Sequence, residues 1–256
     1  MLLAINANNT NIKFALYDGD TERGAWRAAT NAKRTADEYA VWMTQLMALE
    51  QLQPGDVSAA IIATVVPEAL FELTHLCRRY FGCEPQVYGK AADRHIARVD
   101  RPDEVGADRL INTIAAHALY GGPAIVVDLG TATTFDVVDA EGNYRGGAIA
   151  PGINLSMDAL SNAAAALPRI AVQQPAKVIG TTTVGCMQSG VFWGYVGLIE
   201  GLVQRIKGEY GQPMTVLATG GLAPLFAGAT PAFDRIVPDL TMRGLVIVHR
   251  RQHGQA

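Results

Sequence analysis

The sequence predicts an α/β fold made of two similar lobes with a cleft between them, and two observations carry that prediction. Segments of two-residue and helical periodicity alternate along the whole chain, the pattern of strands layered with helices. In addition, the opening Ala4-Ile5-Asn6-Ala7-Asn8-Asn9-Thr10 is echoed by Val126-Val127-Asp128-Leu129-Gly130-Thr131-Ala132. Each follows an apolar strand, puts a polar side chain where the strand stops, and runs into a second strand. Recurrence of such a unit after about 120 residues points to a duplicated lobe. No Ser/Pro-rich linker separates the halves, so the expected lobes, 1–118 and 119–256, share a close boundary.

The elements follow in order. Residues 2–5 form an apolar run that stops at Asn6, and beyond the turn Ile12, Phe14 and Leu16 alternate with Lys13, Ala15 and Tyr17. Two-residue alternation bounded by turn residues makes 2–18 a hairpin with a polar tip. Between 36 and 50 the period changes: Tyr39, Trp42, Met43, Leu46 and Met47 fall on one face of an amphipathic helix. Residues 58–65 read as a buried strand, Pro67 suits the first position of the next helix, and 85–88 allow a short strand. A helix is expected from about Ala107 to Tyr120, ended by Gly121-Gly122, with an apolar strand at 124–127. Residues 133–138 and 144–149 read as strands, 152–167 and 184–209 as helices, and 215–218 as a strand leading into Gly220-Gly221.

Hydrophobic residues make up 49% of the chain and charged residues 18%, the balance of a globular protein and not of a disordered one. A formal net charge of −3 argues against non-specific attachment to nucleic acid or an anionic membrane. No apolar run approaches the ~20 residues of a membrane span. MLLAIN enters a polar turn directly, so the N-terminus reads as a first strand and not a signal peptide. The three cysteines (Cys77, Cys83, Cys186) and five scattered histidines are read as structural or surface residues, with Cys77 and Cys186 expected inside apolar helical stretches. Free thiols point to a reducing cytoplasm.

Holding a phosphate takes backbone N–H groups converging on one point and a nearby cation. Gly130-Thr131-Ala132-Thr133 has that form after a buried strand, with Gly130 expected to permit a turn closed to other residues. Asp128, at the strand's end, is placed to hold a metal ion or its waters. The N-terminal turn offers a second such site, and Thr219-Gly220-Gly221-Leu222-Ala223 a third, suited to the adenosine of a nucleotide. There is no G-x-x-x-x-G-K-S/T loop, and no G-x-G-x-x-G fingerprint after the first strand, which sets aside P-loop and nicotinamide enzymes. Gly106-Ala107-Asp108-Arg109 opens the helix leading to Asp128. It reads either as a helix cap with an ion pair or as a working pair. In the second reading the carboxylate takes a proton from a substrate hydroxyl and the guanidinium grips a substrate carboxylate.

The ordered set NNTN near the start, EVGADRL at 104–110, VDLGTATTFDVV at 127–138, GGAIAPGI at 146–153, IG-x-x-T at 179–183, MQSG at 187–190 and TGGL at 219–222 resembles the type III pantothenate kinases over essentially the whole chain. The resemblance implies the acetate-kinase/sugar-kinase/actin (ribonuclease H-like) fold with a nucleotide cleft between the lobes. It implies a cytoplasmic homodimer that transfers the γ-phosphoryl of ATP to pantothenate, giving 4′-phosphopantothenate on the way to coenzyme A. Mg2+ and a monovalent cation, K+ or NH4+, are implied as cofactors. Carried over residue by residue, Asp108 becomes the proton acceptor, and Gly106, Ala107, Asp108 and Arg109 line the pantothenate site. Thr183 reaches pantothenate across the dimer interface. Asn6, Ala7, Asn8, Asn9, Thr10, Asn11, Ile12 and Lys13 surround the ATP phosphates, with Thr131 also on ATP and Asp128 on the monovalent cation.

The family's opening turn normally reads D-x-G-N-T, whereas this chain has Asn6 in the Asp place and Asn8 in the Gly place. Asn8 is a mild change, since Asn tolerates a left-handed backbone. At Asn6 an amide replaces a full negative charge, and losing a charge from a phosphoryl-transfer site costs on the order of 10²–10³ in rate. Thr182 and Val99 stand in two further places where the family has Asn and Tyr. The alternative reading is therefore a catalytically impaired relative that acts as a nucleotide- or pantothenate-binding regulator. The helix 184–209 is the expected dimer face. Its apolar residues run round much of its circumference, and Gly190, Gly194, Gly197 and Gly201 recur at three- and four-residue spacing.

Overall fold

The computed structural model describes residues 1–89, 93–163 and 167–254. The chain opens with the expected hairpin: β1 (Leu2–Ala7) and β2 (Asn11–Asp18) pair antiparallel, with Ile5 opposite Phe14 and Asn6 opposite Lys13. It continues through β3 (Thr21–Ala29), α1 (Ala36–Leu49), β4 (Ala59–Thr64), α2 (Pro67–Tyr80) and β5 (Pro85–Tyr88). The order across this sheet is β3-β2-β1-β4-β5, with β4 parallel to β1 and β5 parallel to β4. Then come α3 (Ala107–Tyr120), β6 (Ala124–Leu129), β7 (Ala132–Val138), β8 (Tyr144–Pro151), α4 (Ile153–Ala163), α5 (Thr183–Tyr210), β9 (Thr215–Thr219), β10 (Arg235–Ile236) and α6 (Leu240–Gln252). The second sheet is ordered β8-β7-β6-β9-β10. Here β6 and β7 are antiparallel, as are β7 and β8, while β6, β9 and β10 run parallel. Strand for strand, this is the topology of the first sheet.

Side chains alternate across a strand, so each sheet sorts its residues between two faces. On one face of the first sheet Leu3, Ile5, Ile12 and Phe14 pack against Tyr39 and Met43 of α1 and Leu73 of α2. On the other, Ala4, Ile61 and Ala63 meet Ala107, Ile111 and Ile114 of α3 and Met242, Leu245 and Val246 of α6. In the second sheet Ile125, Val127, Leu129 and Phe135 pack against Phe192, Tyr195 and Ile199 of α5. The alternation therefore sends Asn6 and Asp128 to the opposite faces. They occupy equivalent places in the two sheets.

Met1–Ala115 forms one compact unit with α6, and Ala116–Leu240 forms the other. The expected lobes divide the chain once, at 118/119, and so take no account of this return of α6. Its position has a steric cause at Gly244, where a Cβ would stand 2.5 Å from Ile111 Cγ2, and a polar one in Thr241, whose hydroxyl donates to Asn112 Oδ1 at 2.7 Å.

Three elements had no counterpart in the sequence reading. β3 is an edge strand whose side chains are mostly exposed, so it lacks the apolar alternation that marks a half-buried strand. β10 is two residues long. The Leu245-Val246-Ile247-Val248 run of α6 suits a buried strand as well as a helix, and only its packing on α3 decides between them. The helix expected over 152–167 spans Ile153–Ala163, and 164–166 lie outside the described residues. Cys77 is buried as expected, whereas Cys186 is exposed in the first turn of α5.

Candidate active site

β6 carries Asp128 to its carboxyl-terminal end, where Asp128 lies opposite Thr134 of β7 and in register with Thr219 of β9. Open α/β sheets bind ligands beyond the carboxyl ends of their strands, and here three glycine-bearing segments meet. Gly220 has φ +89°, and a Cβ on it would lie 2.5 Å from Asp128 Oδ1 and 2.6 Å from the Leu129 carbonyl oxygen. A Cβ on Gly152 would lie 2.3 Å from the Thr131 carbonyl oxygen and 2.5 Å from that of Gly130, and the Gly152 N–H donates to Thr131 at 3.1 Å. Close approach thus falls on Gly152 and Gly220, and not on Gly130 as expected. Gly130 has no positive φ, and its nearest Cβ contact would be an ordinary 3.6 Å. Its N–H donates to the Ala132 carbonyl at 3.0 Å, so it shapes the turn, while Thr131 at the tip is exposed. Behind the turn the Thr133 hydroxyl bonds Tyr195 of α5, whose OH donates to the Pro151 carbonyl at 3.2 Å.

The first turn is one residue longer and is closed by the Asn8 N–H donating to the Asn11 carbonyl at 3.0 Å. Thr30, just past β3, braces it through its hydroxyl on the Asn8 carbonyl at 2.5 Å and its N–H on that of Thr10 at 3.0 Å. Asn8 does not adopt positive φ, so no left-handed residue is required there and the tolerance of Asn for that conformation is not called on. Ala7 and Ile12 are buried in the core and offer only backbone, whereas Asn9 and Thr10 are exposed at the tip. Asn6 is buried, and cross-strand pairing puts Lys13 on the same face of the sheet.

Asp108 is the second residue of α3, and its Oδ1 accepts the Arg109 N–H at 2.9 Å. The carboxylate folds back over Gly106, where a Cβ would stand 2.5 Å from that oxygen. Burial pushes the Asp108 carboxyl above the usual carboxylate range, and the amide and charge of Arg109 offset this only in part. A carboxylate raised in this way is a stronger base than an ordinary one. Ala107 packs on the face of the first sheet that carries Ala4 and Ala63, which is also the face of Asn6.

Thr183 is the exposed first residue of α5, capped by Thr182, whose hydroxyl accepts the Gly185 N–H at 3.0 Å. The preceding strap is fastened to the same helix. The Ser189 hydroxyl donates to the Val178 carbonyl, and a Cβ on Gly180 would lie 2.4 Å from the Cys186 nitrogen.

Among the described residues no three His, Cys, Asp or Glu side chains gather in one place. Asp128 and its hydroxyl neighbours instead present hard oxygen donors, which suit an alkali or ammonium ion, or a magnesium ion that keeps its waters. An orphaned atom fits that use, because Thr219 Oγ1 is buried without a hydrogen-bond partner. A cavity of about 680 Å³ lined by Tyr120, Pro123, Met214 and Arg235 lies at the other end of the second sheet and touches none of the candidate residues. The histidines are not all scattered: His249 and His253 stand one turn apart on α6 with ring centroids 4.3 Å apart. His249-Arg250-Arg251-Gln252-His253 is an H-x-x-x-H sequence, so the expectation that no histidines share such spacing was wrong.

Two sheets of one topology, each with a strand–turn–strand unit at the carboxyl end of its leading strand, define the acetate-kinase/sugar-kinase/actin class. Solved structures share the fold. The activator of 2-hydroxyisocaproyl-CoA dehydratase from Clostridium difficile, with bound ADPNP, aligns at TM-score 0.53 and 11% identity over 100% of this chain and 97% of its own. The inorganic polyphosphate/ATP-glucomannokinase of Arthrobacter sp. strain KM aligns at TM-score 0.51 and 17% identity over 98% and 99%. At these identities the likeness is one of fold alone. The family model of type III pantothenate kinase matches residues 2–205. The type III pantothenate kinase of Paramagnetospirillum magneticum is 64% identical over 98% of this chain and 97% of its own. That of Rhodospirillum rubrum is 62% identical over 98% of both, and that of Phenylobacterium zucineum 57% over 100% of both. The chain belongs to the type III pantothenate kinase family.

Proposed function

We propose that the protein transfers the γ-phosphoryl of ATP to the 4′-hydroxyl of pantothenate, with Asp108 as the general base. The observation that carries this mechanism is the Asp108 carboxyl, folded over Gly106 at the start of α3 and raised by burial beside Arg109. Arg109 grips the pantothenate carboxylate, and the hydroxyl oxygen attacks the γ-phosphorus. The new O–P bond forms as the bond to the β–γ bridging oxygen breaks, ADP leaves, and the hydroxyl proton passes to Asp108. Little covalent chemistry is asked of the protein, so positioning and charge do most of the catalysis.

The phosphates are assigned to Asn9-Thr10 and to Thr131, all exposed, Lys13 supplies positive charge beside the neutral Asn6, and the adenosine is assigned to Gly220-Gly221. Asp128 holds a monovalent cation, K+ or NH4+. When bound, that cation and Mg2+ neutralise charge on the phosphates. The protein works in the cytoplasm as a homodimer, with Thr183 reaching pantothenate in the partner. Support for the dimer comes from α5, where Gly190, Gly194 and Gly197 are exposed with open space at their Cβ positions, and from Leu155, Leu160 and Val184, which are 51%, 38% and 38% exposed.

A coupled assay with ATP, Mg2+, K+ and pantothenate tests the reading. Turnover is expected from the wild type, and Asp108→Asn is expected to lower it by about 10²–10⁴, the worth of a positioned general base. Nucleotide binding should survive that change. Turnover indifferent to Asp108→Asn removes the mechanism.

A further inference from the structure

We infer that Thr219 is a ligand of the cation at Asp128, a second protein oxygen beside the carboxylate; this rests on the cation reading given under the proposed function. Thr219 ends β9 at 1% exposure, and its Oγ1 is one of the few buried side-chain atoms of the described residues without a hydrogen-bond partner. Buried hydroxyls are nearly always satisfied, so an orphan at the carboxyl end of a strand marks a group whose partner is a bound species. Asn8 Oδ1, in the other candidate phosphate turn, is orphaned as well.

The neighbours narrow the choice of species. Thr219 and Asp128 are in register on adjacent parallel strands and project to the same face. Thr134, on the other side of Asp128, donates its hydroxyl to Asp136 Oδ2 at 3.0 Å. Thr219 has no such acceptor. Asp128 Oδ1 leans toward β9, since it would lie 2.5 Å from a Cβ on Gly220. Yet the adjacent hydroxyl makes no hydrogen bond to it. Two oxygens that neighbour each other on one face without bonding are arranged as ligands sharing an ion. A carboxylate beside a neutral hydroxyl is an all-oxygen donor pair, the kind that hard cations take.

The test is a K+ titration of the full-length protein, followed by thermal melting at constant ionic strength with choline as the balancing cation. For the wild type the melting temperature is expected to rise with K+ and not with choline. Thr219→Val removes the hydroxyl at nearly constant shape and is expected to raise the half-saturating K+ about tenfold, the loss of one interaction of hydrogen-bond strength. Thr219→Ser should stay near the wild type, and Asp128→Asn should abolish the response. If the valine variant does not fold, Thr219→Ala gives the same comparison. An unchanged K+ midpoint in Thr219→Val overturns the inference and leaves the hydroxyl with a structural water only. A wild type that turns over pantothenate but melts indifferently to K+ overturns the cation reading at Asp128 together with this inference, and leaves the kinase reading standing.

Discussion

At Asp108 base strength and stability oppose each other. Its carboxyl is raised in the folded protein, mainly by burial, so the folded state holds the proton more tightly than the unfolded chain does. The stability this contributes is present below the unfolded pKa, ~4 for a carboxyl, and is lost as pH rises through the higher folded value. At neutral pH Asp108→Asn should therefore raise the melting temperature while lowering turnover, and the gain should shrink as the pH falls toward 4. Scanning calorimetry at several pH values checks this, and a variant that melts earlier than wild type at neutral pH contradicts it. The same shift places the acid limb of kcat/KM above the ordinary carboxylate range. Gly106→Ala should mimic part of the loss, because the new Cβ needs the space of Asp108 Oδ1, 2.5 Å away. Asn6→Asp returns a charge to the face that already carries Lys13 and is expected to lower KM for Mg2+–ATP. A higher KM would mean that the site is built around the amide.

The turns are where sequence and structure part company at the level of elements. D-L-G-T-A located the turn between β6 and β7, yet the glycines under steric demand, Gly152 and Gly220, lie in other segments folded against that turn. Local sequence cannot show this, since the atoms a Cβ would strike belong to residues about 20 and 90 positions away along the chain, within the reach that only a folded sheet supplies. Gly152→Ala and Gly220→Ala should each destabilise the protein by roughly 1–3 kcal/mol, as overpacking does, and raise KM for ATP. The glycines of α5 behave in the opposite way: Gly194 and Gly197 have nothing within 4 Å of a Cβ. Gly197→Arg should leave the melting temperature of the fold nearly unchanged and convert the proposed dimer to monomer in sedimentation. Retention of the dimer would move the interface off this stripe.

Over the whole molecule the duplicated topology was legible early, because one strand–turn–strand unit recurs and strands alternate with helices around it. The polar residue near the end of each leading strand, Asn6 or Asp128, could be located from where an apolar run stops. α6 is the counterexample. Met242, Leu245, Val246 and Val248 complete the core between the first sheet and α3, although they follow the second unit in sequence. Leu245→Ala should cost about 2–5 kcal/mol, the range for a buried Leu, measured as a lower denaturant midpoint. A negligible change would mean that α6 is not needed by that core. By itself, then, the sequence determined the fold class, the paired turns, the Gly106–Arg109 segment and the family, because each is written in periodicity or in motifs a few residues long. Tertiary structure alone decided which glycines are under constraint, that α6 belongs with the first unit, that Asp108 is raised by burial, and that Thr219 is left without a partner. These depend on which atoms come within a few ångströms of one another, and that proximity is set by the packing of segments far apart in the chain.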